Sequence, residues 1–168
     1  MLEELTGIKG LIADPTLLNG GMHKIDSGGK LSIHADSRKH TINGDYRRIN
    51  LLVYLNKDWN KEWGGSLQLW DKDMTTMVQD IQPLFNRVVI FNTGADTYHG
   101  HPHPLNTPDN MSRISLALYY YTEENPDTEE NSVTSAVWKD TPVEVKKDGP
   151  TMCFATMCKN EEHCIQNT

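Results

Sequence analysis

The chain has 168 residues, enough for one ordinary domain and too few for two. With 37% hydrophobic and 23% charged residues and a formal net charge of -7, it has a globular composition and lacks the basic face that a general nucleic-acid binder needs to neutralise phosphates. No apolar run approaches membrane-spanning length, and the start, Met1-Leu2-Glu3-Glu4, is acidic where a signal peptide would be basic, so neither a membrane nor a secretory role is expected.

Taken in chain order, the sequence reads as short strands separated by turn signals. Residues 2–12 could hold one helical turn, the only helix expected. Gly20-Gly21 precedes a strand at 22–25, and Ser27-Gly28-Gly29 precedes a second at 30–34. Two short basic clusters, Arg38-Lys39-His40 and Arg47-Arg48, read as solvated faces. A mainly apolar segment covers 49–55. Trp59 and Trp63 flank a Gly64-Gly65 turn that asks either for positive φ or for close approach of the backbone to a substrate. The alternation in Ser66-Leu67-Gln68-Leu69-Trp70 marks a half-buried strand, and 87–91 and 114–121 are rich in β-branched and aromatic residues. Gly94-Ala95-Asp96 and the proline-punctuated 102–108 are loops.

These elements predict a mainly β domain over residues 1–122, an antiparallel sandwich or barrel of which a jelly roll is one solution. Residues 123–145 form an acidic loop with one added strand expected near Ser135-Ala136-Val137-Trp138, and 146–168 form a weakly structured tail. The 3 cysteines, Cys153, Cys158 and Cys164, all fall in that tail. An odd count confined to one end is not a disulfide framework, and the spacings do not match common zinc modules, so a reducing, cytoplasmic setting is expected.

The chemistry-bearing feature is His34-Ala35-Asp36 at a strand end, followed much later by His99. Residues two apart on a strand point to one side. A third ligand from a distant strand would complete a facial set of two imidazoles and one carboxylate, which suits ferrous iron and leaves positions open. By itself a His-x-Asp pair on a strand end is more often a surface pair than a ligand set. Arg113 opens the strong strand Arg113-Ile114-Ser115-Leu116-Ala117-Leu118, where a buried guanidinium needs an anion. A bound dicarboxylate and an internal Asp or Glu both satisfy that need.

The ordered series His34-x-Asp36, Tyr54-Leu55-Asn56, Trp59, Gly64-Gly65-x-Leu67, Pro83, Asn86-Arg87, Phe91, His99 and Arg113-x-Ser115 resembles the prolyl 4-hydroxylase-like branch of the 2-oxoglutarate/Fe(II) dioxygenases. The stretch Tyr54 to Trp59 followed by Gly64-Gly65 is similar to the same segment of oxygen-sensing prolyl hydroxylases. The resemblance spans roughly residues 5–122 and implies a double-stranded β-helix, a jelly-roll barrel with little helix. It implies Fe(II) held by His34, Asp36 and His99, and 2-oxoglutarate as co-substrate with its distal carboxylate on Arg113. Tyr54 would reach the same carboxylate, or serve as a plain core aromatic, and Ser115 would be a further contact. O2 is the implied oxidant and ascorbate a candidate reductant. In the loop His99-Gly100-His101-Pro102-His103 the resemblance selects His99 as the ligand and leaves His101 and His103 as loop residues near the mouth.

The implied reaction is hydroxylation of an unactivated C–H bond, most naturally on a prolyl residue of a peptide or protein, with release of succinate and CO2. A free amino acid or another small molecule remains open as substrate. Two other classes stay in view: a non-catalytic jelly-roll binding module, and a cupin-type metal site built from His99, His101 and His103. Family members carry more chain upstream, including a helix that buttresses the sheet, so the chain reads as a fragment or a minimal version, in which missing support would expose a sheet face, favour dimerisation or weaken the fold.

Overall fold

The computed structural model describes residues 1–126 and 136–138 in full and the backbone of 154–158. A single short helix, α1 (Leu2–Thr6), precedes eleven strands: β1 (Ile12–Ala13), β2 (Gly21–Ile25), β3 (Leu31–Ala35), β4 (Tyr46–Tyr54), β5 (Leu67–Trp70), β6 (Met77–Ile81), β7 (Arg87–Asn92), β8 (Tyr98–His101), β9 (Arg113–Thr122), β10 (Val137–Trp138) and β11 (Phe154–Cys158). They form a 6-stranded sheet in the order β1-β9-β4-β7-β11, with β2 also on β9, and a 5-stranded sheet in the order β10-β3-β8-β5-β6. Every pairing between these strands is antiparallel. Sequence neighbours repeatedly land in opposite sheets, as β3 and β4 do, and that crossing pattern is the jelly roll expected from the strand reading.

Period-two alternation builds the interior. Tyr54, Leu67, Leu69, Ile81, Val89 and Phe91 are all buried and form one cluster drawn from both sheets. Leu69 is fully buried, so truncation to alanine would cost about 2–5 kcal/mol. The opposite face of the second sheet buries Ile33, Ala35, Trp70 and Tyr98 under Met74 and Met77. Alternation therefore sends His34 and His99, the neighbours of Ile33 and Tyr98, to the interior.

Three departures from the sequence reading bear on function. Residues 98–101 form a strand rather than the rim of a loop, so His101 is strand-borne and buried. Arg38, His40 and Arg47 are buried, contrary to the solvated faces expected of both basic clusters. Within the expected tail, residues 154–158 pair along β7 from Phe154↔Phe91 to Cys158↔Arg87. Cys153 and Cys164 lie outside the described residues.

Candidate active site

The site begins with a bulge. Leu31 pairs with His101 and His34 pairs with His99, so β3 spends one more residue than β8 across the same span. Such an insertion bends the strand and re-aims the side chains after it. Gly100 makes the close approach possible, because a Cβ there would meet the Leu31 and Ser32 carbonyl oxygens at 2.7 and 2.8 Å. As a result the His34 and His99 rings sit 4.5 Å apart, centroid to centroid. Asp36 follows one residue beyond the end of β3 and turns its carboxylate toward both.

One ligand atom from each of His34, Asp36 and His99 falls within 4.8 Å of the others, the one such group of His, Cys, Asp or Glu among the described residues. His34 Nε2 is 3.5 Å from Asp36 Oδ1, and His99 Nε2 is 3.4 Å from Asp36 Oδ2. The other ring nitrogens are occupied: His34 Nδ1 donates to the Ser32 carbonyl at 2.9 Å and His99 Nδ1 to the Thr97 carbonyl at 3.4 Å. A carbonyl can only accept, so each Nδ1 carries a proton, and in a neutral ring Nε2 is the atom with the lone pair. Burial, which outweighs the attraction of Asp36, lowers His99 to about 4, leaving it neutral near pH 7. The Nε2 atoms of both rings thus face one carboxylate across a buried gap, an arrangement that a cation would satisfy.

Asp36 is held ionised by residues that the sequence reading missed. Burial alone would raise its carboxyl, but His99, His34 and the Arg47 guanidinium outweigh burial and hold it well below the usual carboxylate range. Arg47 and Asn50 both contact this carboxylate. Asn50 Nδ2 donates to Asp36 Oδ2 at 2.7 Å, Arg47 Nη2 lies 3.4 Å from the same oxygen, and Arg47 Nε donates to Asn50 Oδ1 at 2.8 Å. The guanidinium stacks 3.4 Å above the centroid of the Tyr119 ring. A register shift in β4 between Arg47 and Ile49 breaks the alternation that would have revealed Arg47 as inward-facing.

Deeper along the same interior sits Arg113, 4% exposed. Its Nε donates to the Gly65 carbonyl at 2.8 Å and its Nη2 to the Tyr54 hydroxyl at 3.2 Å. Among the described residues no Asp or Glu pairs with it, and its bonds go to uncharged partners. Gly65 has φ +74°, and a Cβ there would lie 3.1 Å from Arg113 Cδ and 2.5 Å from Leu105 Cδ2. The glycine turn therefore serves both positive φ and a close approach, and what approaches is Leu105 and, behind it, Arg113. Tyr54 is fully buried, and burial raises its hydroxyl above the ordinary value despite Arg113, so it stays a neutral donor. Ser115 lies across from Tyr54 in register and is buried on the same face.

The neighbouring motif residues are architectural. Asn56 donates to the Pro83 carbonyl at 2.7 Å and accepts from the Ile114 N–H at 2.6 Å, clamping β9 to the turn before β7. Trp59 donates to the Gly64 carbonyl at 3.2 Å and meets Trp63 edge-on, bracing the glycine turn. His103 is exposed, and neither it nor His101 joins the metal-ligand group, so the arrangement needed for a cupin-type cluster is not formed. Trp138, whose strand pairs it with His34, stacks on that imidazole at 4.6 Å and 27°.

A family model described as the 2OG-Fe(II) oxygenase superfamily matches residues 20–121. Among curated relatives, prolyl hydroxylase EGLN3 of Mus musculus is 31% identical over 83 residues, covering 49% of this chain and 32% of the relative. Prolyl 3-hydroxylase OGFOD1 of Mus musculus is 26% identical over 121 residues, covering 70% of this chain and 21% of the relative. The chain thus spans a third or less of the length of these relatives. A solved prolyl-4-hydroxylase of Pseudomonas putida aligns at TM-score 0.46 and 20% identity, over 63% of this chain and 52% of that one. With the family model matched over more than half of its length, the chain belongs to the 2OG-Fe(II) oxygenase superfamily.

Proposed function

We propose that the protein is a 2-oxoglutarate- and Fe(II)-dependent hydroxylase acting on a prolyl residue of a peptide or protein, with His34, Asp36 and His99 holding the iron. The observation that carries this reading is the pair of Nε2 lone pairs converging on the Asp36 carboxylate, in the same interior as a buried Arg113 that lacks any carboxylate partner among the described residues. The donor set fits ferrous iron: two neutral imidazoles and one carboxylate leave positions open for a chelating co-substrate. When bound, iron and 2-oxoglutarate supply activation of O2, with one oxygen atom going to the substrate C–H bond and the other to succinate as CO2 leaves.

The protein's own groups bind and orient. Arg113 and Tyr54 offer a cation and a hydroxyl to the distal carboxylate, and Ser115 lies beside Tyr54 for a further contact. Arg47 and Asn50 fix the Asp36 carboxylate so that one oxygen faces each imidazole. Phe91 packs edge-on against the His99 ring and gives the site an apolar wall. The prolyl substrate follows the names of the curated relatives, prolyl hydroxylase EGLN3 and prolyl 3-hydroxylase OGFOD1. O2 and ascorbate complete the proposed requirements. A reducing, cytoplasmic location accords with the cysteine pattern, and the described residues contain no helix long and apolar enough to cross a membrane.

The test is anaerobic addition of Fe(II) and then 2-oxoglutarate to purified protein, followed by absorbance for the metal-to-ligand charge-transfer band. A band that Asp36→Ala abolishes supports the chelate, and mass spectrometry of proline-containing peptides incubated with O2 then identifies the hydroxylated residue. Folded wild-type protein that gives no band would overturn the reading.

A further inference from the structure

Among the described residues, His101 is the one buried histidine of the interior whose chemistry is unspent. It is 3% exposed, and neither Nδ1 nor Nε2 has a hydrogen-bond partner. It lies two residues after His99 on β8, so the strand period points both side chains into the barrel. Burial is the main influence on the ring, and Arg113 and then His34 are the charged groups that act on it. It also shares a cleft of about 170 Å³ with Gly65, whose carbonyl seats Arg113.

An imidazole in that position is costly if nothing meets it. Buried polar atoms are nearly always paired, and a leucine would fill similar space with no desolvation penalty. In either protonation state the ring offers at least one N–H. The same interior holds a buried guanidinium whose bonds from Nε and Nη2 go to a carbonyl and a hydroxyl, both uncharged. An anion arriving there would answer both deficits at once.

We propose that His101 is a co-substrate-binding residue that donates a hydrogen bond to the distal carboxylate of 2-oxoglutarate, completing with Arg113 and Tyr54 a three-sided clamp. This rests on the proposed use of 2-oxoglutarate. It assigns to His101 a role in affinity and none in metal binding.

The experiment titrates Fe(II)-loaded protein anaerobically with 2-oxoglutarate and, separately, with 2-oxopentanoate, which has the same chelating end and no distal carboxylate. Wild type and His101→Leu are compared, with His101→Gln and His101→Asn as variants that keep an N–H donor. His101→Leu should raise the 2-oxoglutarate Kd about 10–100-fold, the ratio expected for losing a hydrogen bond to a buried charge. The 2-oxopentanoate Kd and the Fe(II) Kd should stay within about twofold, since neither involves that contact. At least one of the amide variants should recover most of the loss. An unchanged 2-oxoglutarate Kd, an equal loss with both acids, or a weakened Fe(II) Kd in His101→Leu would each overturn the assignment. Wild type that binds neither acid would instead overturn the functional reading beneath it.

Discussion

Two buried histidine–aspartate clusters stand in this molecule, and they differ in what is left over. In the first, Asp14 accepts from the Thr16 N–H and hydroxyl at 2.8 and 2.7 Å and from the Leu18 N–H at 2.9 Å, while His40 Nε2 approaches it at 3.5 Å. His40 Nδ1 in turn accepts from the Ile42 and Asn43 N–H groups at 3.3 and 3.4 Å. Each acceptor has a donor, and the cluster ties the β1 segment to the loop before β4. In the second, His34, Asp36 and His99 point acceptors at one another. Residue type and burial are alike in the two places. A closed set of hydrogen bonds makes the first a brace, and an open set makes the second a site.

The sharpest way to break this contrast is to remove each carboxylate. Asp36→Ala should abolish both the charge-transfer band and turnover, whereas Asp14→Ala should retain both per mole of folded protein. Loss of the band in Asp14→Ala at intact fold, seen by circular dichroism, would erase the distinction. Next, Arg113→Lys replaces a fork with a point charge and should raise the half-saturating 2-oxoglutarate concentration by about 10–100-fold without changing iron affinity. An unchanged half-saturation would remove Arg113 from the co-substrate pocket.

A smaller effect is expected one layer out. Asn50→Ala frees the Asp36 carboxylate from its 2.7 Å donor and should weaken metal binding about tenfold, measured by competition with a chelator. If metal affinity holds, Arg47 alone positions the carboxylate. The smallest expected effect belongs to the brace. Hydrogen bonds from Thr16 and Leu18 and the nearby His40 overcome the effect of burial, which would raise Asp14, and hold its carboxyl below 3.8. The unfolded chain therefore takes up this proton first, so the stabilisation is fully present above about pH 3.8 and is lost as pH falls through the folded value. Urea midpoints between pH 5 and pH 3 should fall more steeply for wild type than for Asp14→Asn; equal slopes would mean that Asp14 contributes nothing.

How much of this was legible depends on how far each feature obeys a local period. The principal strands follow from alternation and turn residues, and so does the inward placement of His34 and His99. The His34-x-Asp36 spacing, His99 and Arg113 stand out because each puts a costly group on a core strand. Arg47 and Asn50 were hidden by the register shift at Arg48, which turns an apparently continuous basic pair into one inward and one half-exposed residue. His101 was hidden because prolines at 102 and 104 made the segment read as loop, although the β8 pairing ends just before them. The Val137↔Ala35 and Trp138↔His34 pairings involve partners about a hundred residues apart, and no window on the sequence registers such a contact.

Trp138 gives that last pairing a practical side. Of the 4 tryptophans, it is the one recorded face-on against a candidate metal ligand, and it comes from beyond the segment that the family model matches. Its indole is thus a built-in fluorophore in van der Waals range of the imidazole that an open-shell ion would bind. Titrating Co(II) into the protein should quench emission in wild type far more than in Trp138→Phe, whose remaining signal comes from Trp59, Trp63 and Trp70. Equal quenching in both would show that the indole does not sense the ion. With unequal quenching, the protein reports occupancy of its own metal site, free of any substrate.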